Sequence, residues 1–373
     1  MRTMLQTFRI SLMAALLVSA SPALAEYTTT VISDELEYPW GMEMLPDGRI
    51  LVTEQTGALR IINTEGELVE EPIANVPEAW VEGHGGLFDV KLAPDFADSN
   101  RIYLSYACGT RKNSSTCLAR ALFAGDTLNE VEEIFRSSPG REGSAHYGGR
   151  FTFLADNTLV MGLGDGFDYR EQAQNPENHI GSVVRLNMDG SIPANNPFVG
   201  LSHAAPETYS YGHRNVQGIV YDPQSDRLYT NEHGPKGGDE LNLMRAGANY
   251  GWPLITGGVD YNNARITPYQ QLPGMTSPLL EWTPSIAPSG MTLYRGDAFG
   301  DWRGDFFVSA LAAKKVQRVR LAGNRVIEQE DLFTELDRRI RYVYTGADGY
   351  LYLLTDQQNG ELIRVTPKGE HHE

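Results

Sequence analysis

Three observations predict an all-β fold, and the third narrows it to a six-bladed β-propeller with loop insertions. The apolar residues lie mostly in short runs, many of them β-branched or aromatic, separated by Gly, Asp, Asn and Pro. Few windows beyond the N-terminal segment repeat an apolar residue every 3.6 positions, so helices are not expected. The third observation is a recurring unit: a turn that contains Asp, an apolar strand, then a break into polar residues.

In chain order the elements read as follows. A strand at YTTTVISDEL, from Tyr27, precedes the units and is expected to complete the last blade and close the ring. The units are LPDGRILVTEQTGALRI from Leu45, APDFADSNRIYLSYA from Ala93, and LADNTLVMGLGDG from Leu154. YDPQSDRLYTNEHGP from Tyr221, GDWRGDFFVSALAAKKVQRVRL from Gly300 and GADGYLYLLTDQQNGELIRV from Gly346 follow. Six units fit radial repetition with about four strands per blade. A sandwich needs fewer and more evenly spaced strands, and a TIM barrel needs helices between them. The spacing is irregular, so Met188 to Gly200 and Gly257 to Gly274 are read as insertions.

Ahead of the propeller, Arg2 and Arg9 precede the apolar run Ile10 to Val18, and small residues end in Ala23-Leu24-Ala25. That is the layout of a secretory signal peptide cleaved after Ala25, rather than an anchor, because the run is too short to span comfortably. Residues 1–25 are therefore assigned to the signal and 26–373 to one catalytic propeller, exported to the periplasm or secreted. No later segment is apolar enough to insert in a membrane. The formal charge of −17 favours solubility and argues against nucleic acid or anionic lipid as partner. The only cysteines are Cys108 and Cys117. A disulfide across a loop or hairpin is favoured in an oxidising compartment over a metal site or two free thiols.

Polar side chains crowd where a solvated surface does not need them. SAHYGGRF places His146 ahead of a strand, GLGDGFDYREQ carries Asp165, and YGHRNVQG holds His213, Arg214, Asn215 and Gln217. NEHGPKGGDELN holds His233, Gly234, Pro235, Asp239 and Glu240. In DRRIRYV, Arg339 and Arg341 alternate and so leave a strand on one face. Singly each is weak, since a histidine beside a strand, a Gly-rich acidic turn and an edge R-x-R are usually structural. A nucleophile elbow, an H-E-x-x-H zinc motif and a P-loop are all missing, and the glycine pairs sit in no strand–helix unit.

Taken in order, GHGGLFDV, HYGGRF, GLGDG, YGHRNVQG, NEHGPKGGDELN, NYGWP, APSGMTLY and RRIRYVYTGADGYLYLLTD resemble the soluble quinoprotein glucose dehydrogenases, and their periplasmic aldose sugar dehydrogenase branch more closely. The resemblance spans Pro39 to Arg364. It implies pyrroloquinoline quinone (PQQ) and Ca²⁺ held over the central channel. Arg214, Arg339 and Arg341 suit the cofactor's carboxylates through their bidentate fork, and Asn215 and Gln217 suit its remaining oxygens. The ion matches carbonyls of Gly234 and Pro235, with a second site at Glu240 and the carbonyl of Tyr250.

The implied chemistry makes His146 the general base on the C1 hydroxyl of an aldose. Asp165 orients it and Arg214 polarises the quinone; the product is a lactone, and the electrons go to an unidentified acceptor. His84 and His233 stand where the family commonly has glutamine, and are expected to contact the cofactor. A family lysine aligns with Ala312, so Lys314 or Lys315 is expected to replace it, with Lys314 taken as the cofactor contact. The assembly is read as a monomer or homodimer. A calcium-dependent lactonase would leave the three arginines without a trianionic ligand, and a non-catalytic binding propeller would not need His146 beside Asp165.

Overall fold

A computed structural model describes residues 27–369; the signal-peptide expectation for residues 1–25 lies outside the described residues. Six antiparallel sheets stand in a ring, five of four strands and one of three. The strands nearest the axis are Pro39–Met44, Leu87–Leu92, Gly148–Phe153, Val216–Asp222, Pro288–Leu293 and Ile340–Thr345, one from each of blades one to six.

Each recurring unit of the sequence supplies the second strand of a blade: Ile50–Glu54, Arg101–Thr110, Thr158–Leu163, Arg227–Glu232, Phe306–Ala310 and Leu351–Thr355. These strands are buried along almost their whole length. A middle strand is covered by a neighbouring blade on both faces, which is why it reads as a continuous apolar run and not an alternating one. The outer strand Arg325–Leu332 of blade five is mostly exposed and charged, as an edge that must not pair with another chain should be.

The ring closes as expected. Tyr27–Leu36 pairs antiparallel with the C-terminal strand Gly360–Pro367 and completes blade six. The two insertions fall between the third and outer strands of blades three and four. Among the described residues no helix is long and apolar enough to cross a membrane.

Arg150 sits on the axis. It is fully buried, with its guanidinium 3.8 Å from the ring centre of Trp40 and 3.9 Å from that of Tyr342. It pairs with Asp89 at 3.2 Å and donates to the carbonyls of Trp40, Gln217 and Ser289. One side chain from blade three therefore touches all the other five blades.

Cys108 and Cys117 are bonded across the hairpin of blade two. The bond closes a short loop that the hairpin already closes. Reduction is expected to cost at most about 2–3 kcal/mol, measured as the melting-point difference with and without dithiothreitol.

Candidate active site

The loops entering the inner strands converge at one end of the channel. Here Trp40, His84, His146, Asn215, Gln217, His233, Arg339 and Arg341 line one cavity of about 390 Å³. All six blades contribute, blade five through Ala287 and Leu311, so stretches far apart in sequence meet in this cavity.

His146 immediately precedes the inner strand of blade three, and it carries a left-handed backbone with φ 49°. Its Nδ1 lies 2.7 Å from Asp165 Oδ1. The same carboxylate accepts from the Phe167 backbone N–H at 2.8 Å and, through Oδ2, from the Trp252 indole at 2.8 Å. Gly164 permits the close approach of the two loops, since a Cβ there would lie 1.9 Å from the His146 carbonyl oxygen.

Burial tends to raise the Asp165 pKa, but the hydrogen bond and charge of His146, with Arg214 and the Phe167 N–H, outweigh it and leave the carboxyl below its usual range. An ionised Asp165 accepts, so Nδ1 carries the proton and Nε2 has a free lone pair. Burial, reinforced by the charges of Arg214 and Arg141, holds His146 below the usual imidazole value. The imidazole is thus neutral and basic at neutral pH. His84 stacks on it with ring centres 5.8 Å apart, and burial, then His146, brings its pKa to about 4.

Strained backbone gathers here. Tyr38, His146 and Ala287, all lining the cavity, have φ between 48° and 54°, and Phe167 beside it has φ 67°. For a bulky side chain this conformation costs on the order of 1–3 kcal/mol and persists only where surroundings enforce it. At Ala287 the enforcer is Asp239, whose Oδ2 accepts from Ser285 Oγ and from the backbone N–H groups of Ile286 and Ala287.

Arg339 lies just before the inner strand Ile340–Thr345, whose pairing is irregular between Ile340 and Tyr342, so strand alternation does not place the two arginines. Both nonetheless fork onto the single carboxylate of Asp356. Two guanidiniums on one carboxylate leave a surplus of positive charge facing the cavity. Asn215 Oδ1 accepts from the Gly148 backbone and from Gln217. His233 Nε2 is shielded from solvent without a hydrogen-bond partner among the described residues. Burial, then Arg214, holds its pKa well below the usual value.

Arg214 faces a second cleft of about 310 Å³, lined also by Phe167, Asp168, Pro235, Trp252 and Tyr261. It donates to the carbonyls of His233 at 3.1 Å and Gly234 at 2.7 Å. Tyr261, from the blade-four insertion, lines both cavities and its hydroxyl meets Arg214 at 3.4 Å. His213 is completely buried between Ser210 and Glu232 and stacks on Tyr250, so its role is structural.

Glu240 lies in register with Glu232 on one side and Glu281 on the other. Burial, then Glu232, pushes its carboxyl well above the usual range. Like charges directly opposite in a sheet repel, and a cation relieves that repulsion.

Lys314 is a correction. It sits at a turn with φ 50° that swings its side chain outward, and its Nζ pairs with Asp337 at 2.8 Å outside the residues lining the cavity. Lys315 pairs with Asp331 of the neighbouring strand at 2.7 Å and does not line the cavity either. The sequence reading also passed over Trp252, Phe167, Tyr261, Asp356 and Arg141. Of these only Trp252 carried a signal, as the aromatic residue in NYGWP.

The chain matches the family model described as "Glucose / Sorbosone dehydrogenase" over residues 36–364. It is 39% identical to the aldose sugar dehydrogenase YliI of Escherichia coli strain K12, an alignment covering 92% of this chain and 94% of that protein. The apo crystal structure of the soluble Escherichia coli aldose sugar dehydrogenase superposes with a TM-score of 0.89 at 38% identity, over 92% of this chain and all of that one. The PQQ-bound form of the Streptomyces coelicolor aldose sugar dehydrogenase superposes with a TM-score of 0.76 at 25% identity, over 92% and 99% of the two chains. A propeller whose channel mouth joins a histidine–aspartate pair to a surplus of arginine, matched by that model over residues 36–364, belongs to the glucose/sorbosone dehydrogenase family.

Proposed function

We propose that this protein oxidises aldose sugars at C1 to lactones, using PQQ and Ca²⁺, in the periplasm or outside the cell. The observation that carries the reading is the His146–Asp165 pair opening onto a cavity that also holds Arg339 and Arg341. The residues suit the cofactor. The arginines exceed the carboxylate they share, and among the described residues His233 Nε2 is a shielded polar atom without a hydrogen-bond partner. Arg339, Arg341, Asn215, Gln217, His84 and His233 would hold it, and Arg214, from the adjoining cleft, would add its charge and fork to the quinone side. When bound, PQQ supplies an ortho-quinone that takes the C1 hydrogen with its electron pair.

His146 Nε2 accepts the proton of the C1 hydroxyl, while Asp165 keeps the imidazole in the required tautomer and stabilises it once charged. The guanidinium of Arg214 favours negative charge developing beside it. Trp252, donating to Asp165, keeps the aspartate from rotating away. Backbone carbonyls of Gly234 and Pro235 are oxygen donors of the kind Ca²⁺ takes, and the Glu232–Glu240–Glu281 row, with the Tyr250 carbonyl, suits a second ion. The electron acceptor is left unnamed, and the state is monomer or homodimer.

The test is to add PQQ with Ca²⁺ to purified protein and follow glucose-dependent reduction of an artificial dye. Activity that needs both additions is expected. Failure with every aldose refutes the reading, and lactone hydrolysis without PQQ replaces it by a hydrolase.

A further inference from the structure

Behind the dyad, on the side away from the cavity, lies a buried arginine. Arg141 belongs to the loop that leads from blade two into the inner strand of blade three, and it is 7% exposed. Its backbone is pinned to the tip of the blade-two hairpin by reciprocal N–H···O bonds with Ser114 at 2.9 and 2.8 Å. Its guanidinium lies 4.4 Å from the ring centre of Tyr147, and Nη2 donates to the carbonyls of Ala145 at 3.0 Å and His146 at 2.6 Å. Gly166 makes room for it, since a Cβ there would lie 2.3 Å from Nε.

Among the described residues Arg141 forms no ion pair. Taking a charge out of water with only carbonyls and a ring face as partners is expensive. The second carbonyl it grips belongs to His146, whose backbone is left-handed.

We propose that Arg141 is the positioning residue of the His146–Asp165 pair: its fork clamps the His146 carbonyl, holding the backbone that aims Nδ1 at Asp165, and sets a fixed positive charge behind the imidazole. This rests on the reading of His146 as the base. The charged and titratable groups facing His146 are Asp165 from blade three, Arg214 and His233 from blade four, His84 from blade two, and Arg141 itself. The charge of Arg141 works against imidazolium formation. Without it the imidazole titrates at higher pH.

Two variants and two readouts test this. In Arg141→Gln, kcat for glucose is expected to fall by about tenfold or more, as for a misplaced catalytic group, with KM within about twofold. The acid limb of its pH profile should move upward. Arg141→Lys keeps the charge and restores that limb, but an ammonium without the planar fork recovers only part of kcat. Titration of the His146 imidazole by NMR in the unloaded protein reads the same effect without turnover.

A folded Arg141→Gln protein with wild-type kcat and an unmoved His146 titration overturns the proposal. If the wild type oxidises no aldose yet the titration shifts, the dehydrogenase reading falls and the positioning role stands. If Arg141→Gln does not fold, Arg141→Lys decides: lowered kcat at an unchanged melting temperature upholds the proposal, and wild-type kcat overturns it.

Discussion

Replacing His146 by alanine is expected to lower kcat for glucose by about 10²–10⁴-fold, the range for loss of a general base, while cofactor binding stays near wild type. The separation follows from the geometry. His146 engages Asp165 through Nδ1, whereas the charge available to a polyanionic cofactor comes from Arg339 and Arg341, which Asp356 holds independently of the histidine. Alanine adopts a left-handed backbone less readily than histidine, and the change removes one partner from the buried Asp165, so some stability should be lost. The Phe167 N–H and the Trp252 indole still hold that carboxylate, and a melting curve checks that the variant remains folded. A large loss of stability together with a loss of cofactor binding would assign His146 to structure instead.

The pH dependence has a definite sign. Burial, then the charges of Arg214 and Arg141, holds the imidazole below its ordinary value of 6.5. The base is therefore active in its neutral form at neutral pH, and kcat/KM should stay level there and fall only as pH drops through the lowered pKa. A profile whose acid limb lies above the ordinary histidine value contradicts the assignment.

The second large effect concerns the axis. Arg150→Met is expected to destabilise the protein by about 3–5 kcal/mol, because it strips the partner from a buried Asp89. Methionine fills much of the volume but donates to none of the three carbonyls, and it forfeits the faces of Trp40 and Tyr342. Urea unfolding measures the loss. The double variant Arg150→Met with Asp89→Asn should recover part of it, since no buried carboxylate is then left unpaired. A single-variant loss below about 1 kcal/mol would mean that the apolar faces between blades hold the ring without this tie. Trp40 stacks on Arg150 and also lines the cavity, so the same variant should loosen the floor of the site.

Much of this was legible in one dimension, and the reasons are local. A strand buried on both faces must be apolar along its length, so the six second strands announced themselves as runs such as Leu159–Leu163 and Leu351–Leu354. The R-x-R at Arg339 and Arg341 pointed to a shared site, although Arg339 precedes the strand and it is Asp356, not alternation, that brings the two together. Lys314 was misplaced because the direction of its side chain depends on a left-handed turn, and a lysine carries no signature of that. Asp356 was missed because an aspartate in a polar turn looks the same whether it faces water or two arginines. Arg141 and Arg150 looked like ordinary cations for a related reason: burial of a charge is a property of what surrounds it.

The blade count, the closure of the ring by its first strand and the family were legible in one dimension, because each is carried by patterns between near neighbours or by motifs in a given order. The hairpin disulfide was favoured there over other uses of the two cysteines, and the folded chain shows it formed. Which polar groups share a cavity, which arginines lie behind it rather than in it, and the left-handed backbone of His146 became visible only in three dimensions. Those depend on distances between loops of different blades, and such distances exist only once the ring has closed.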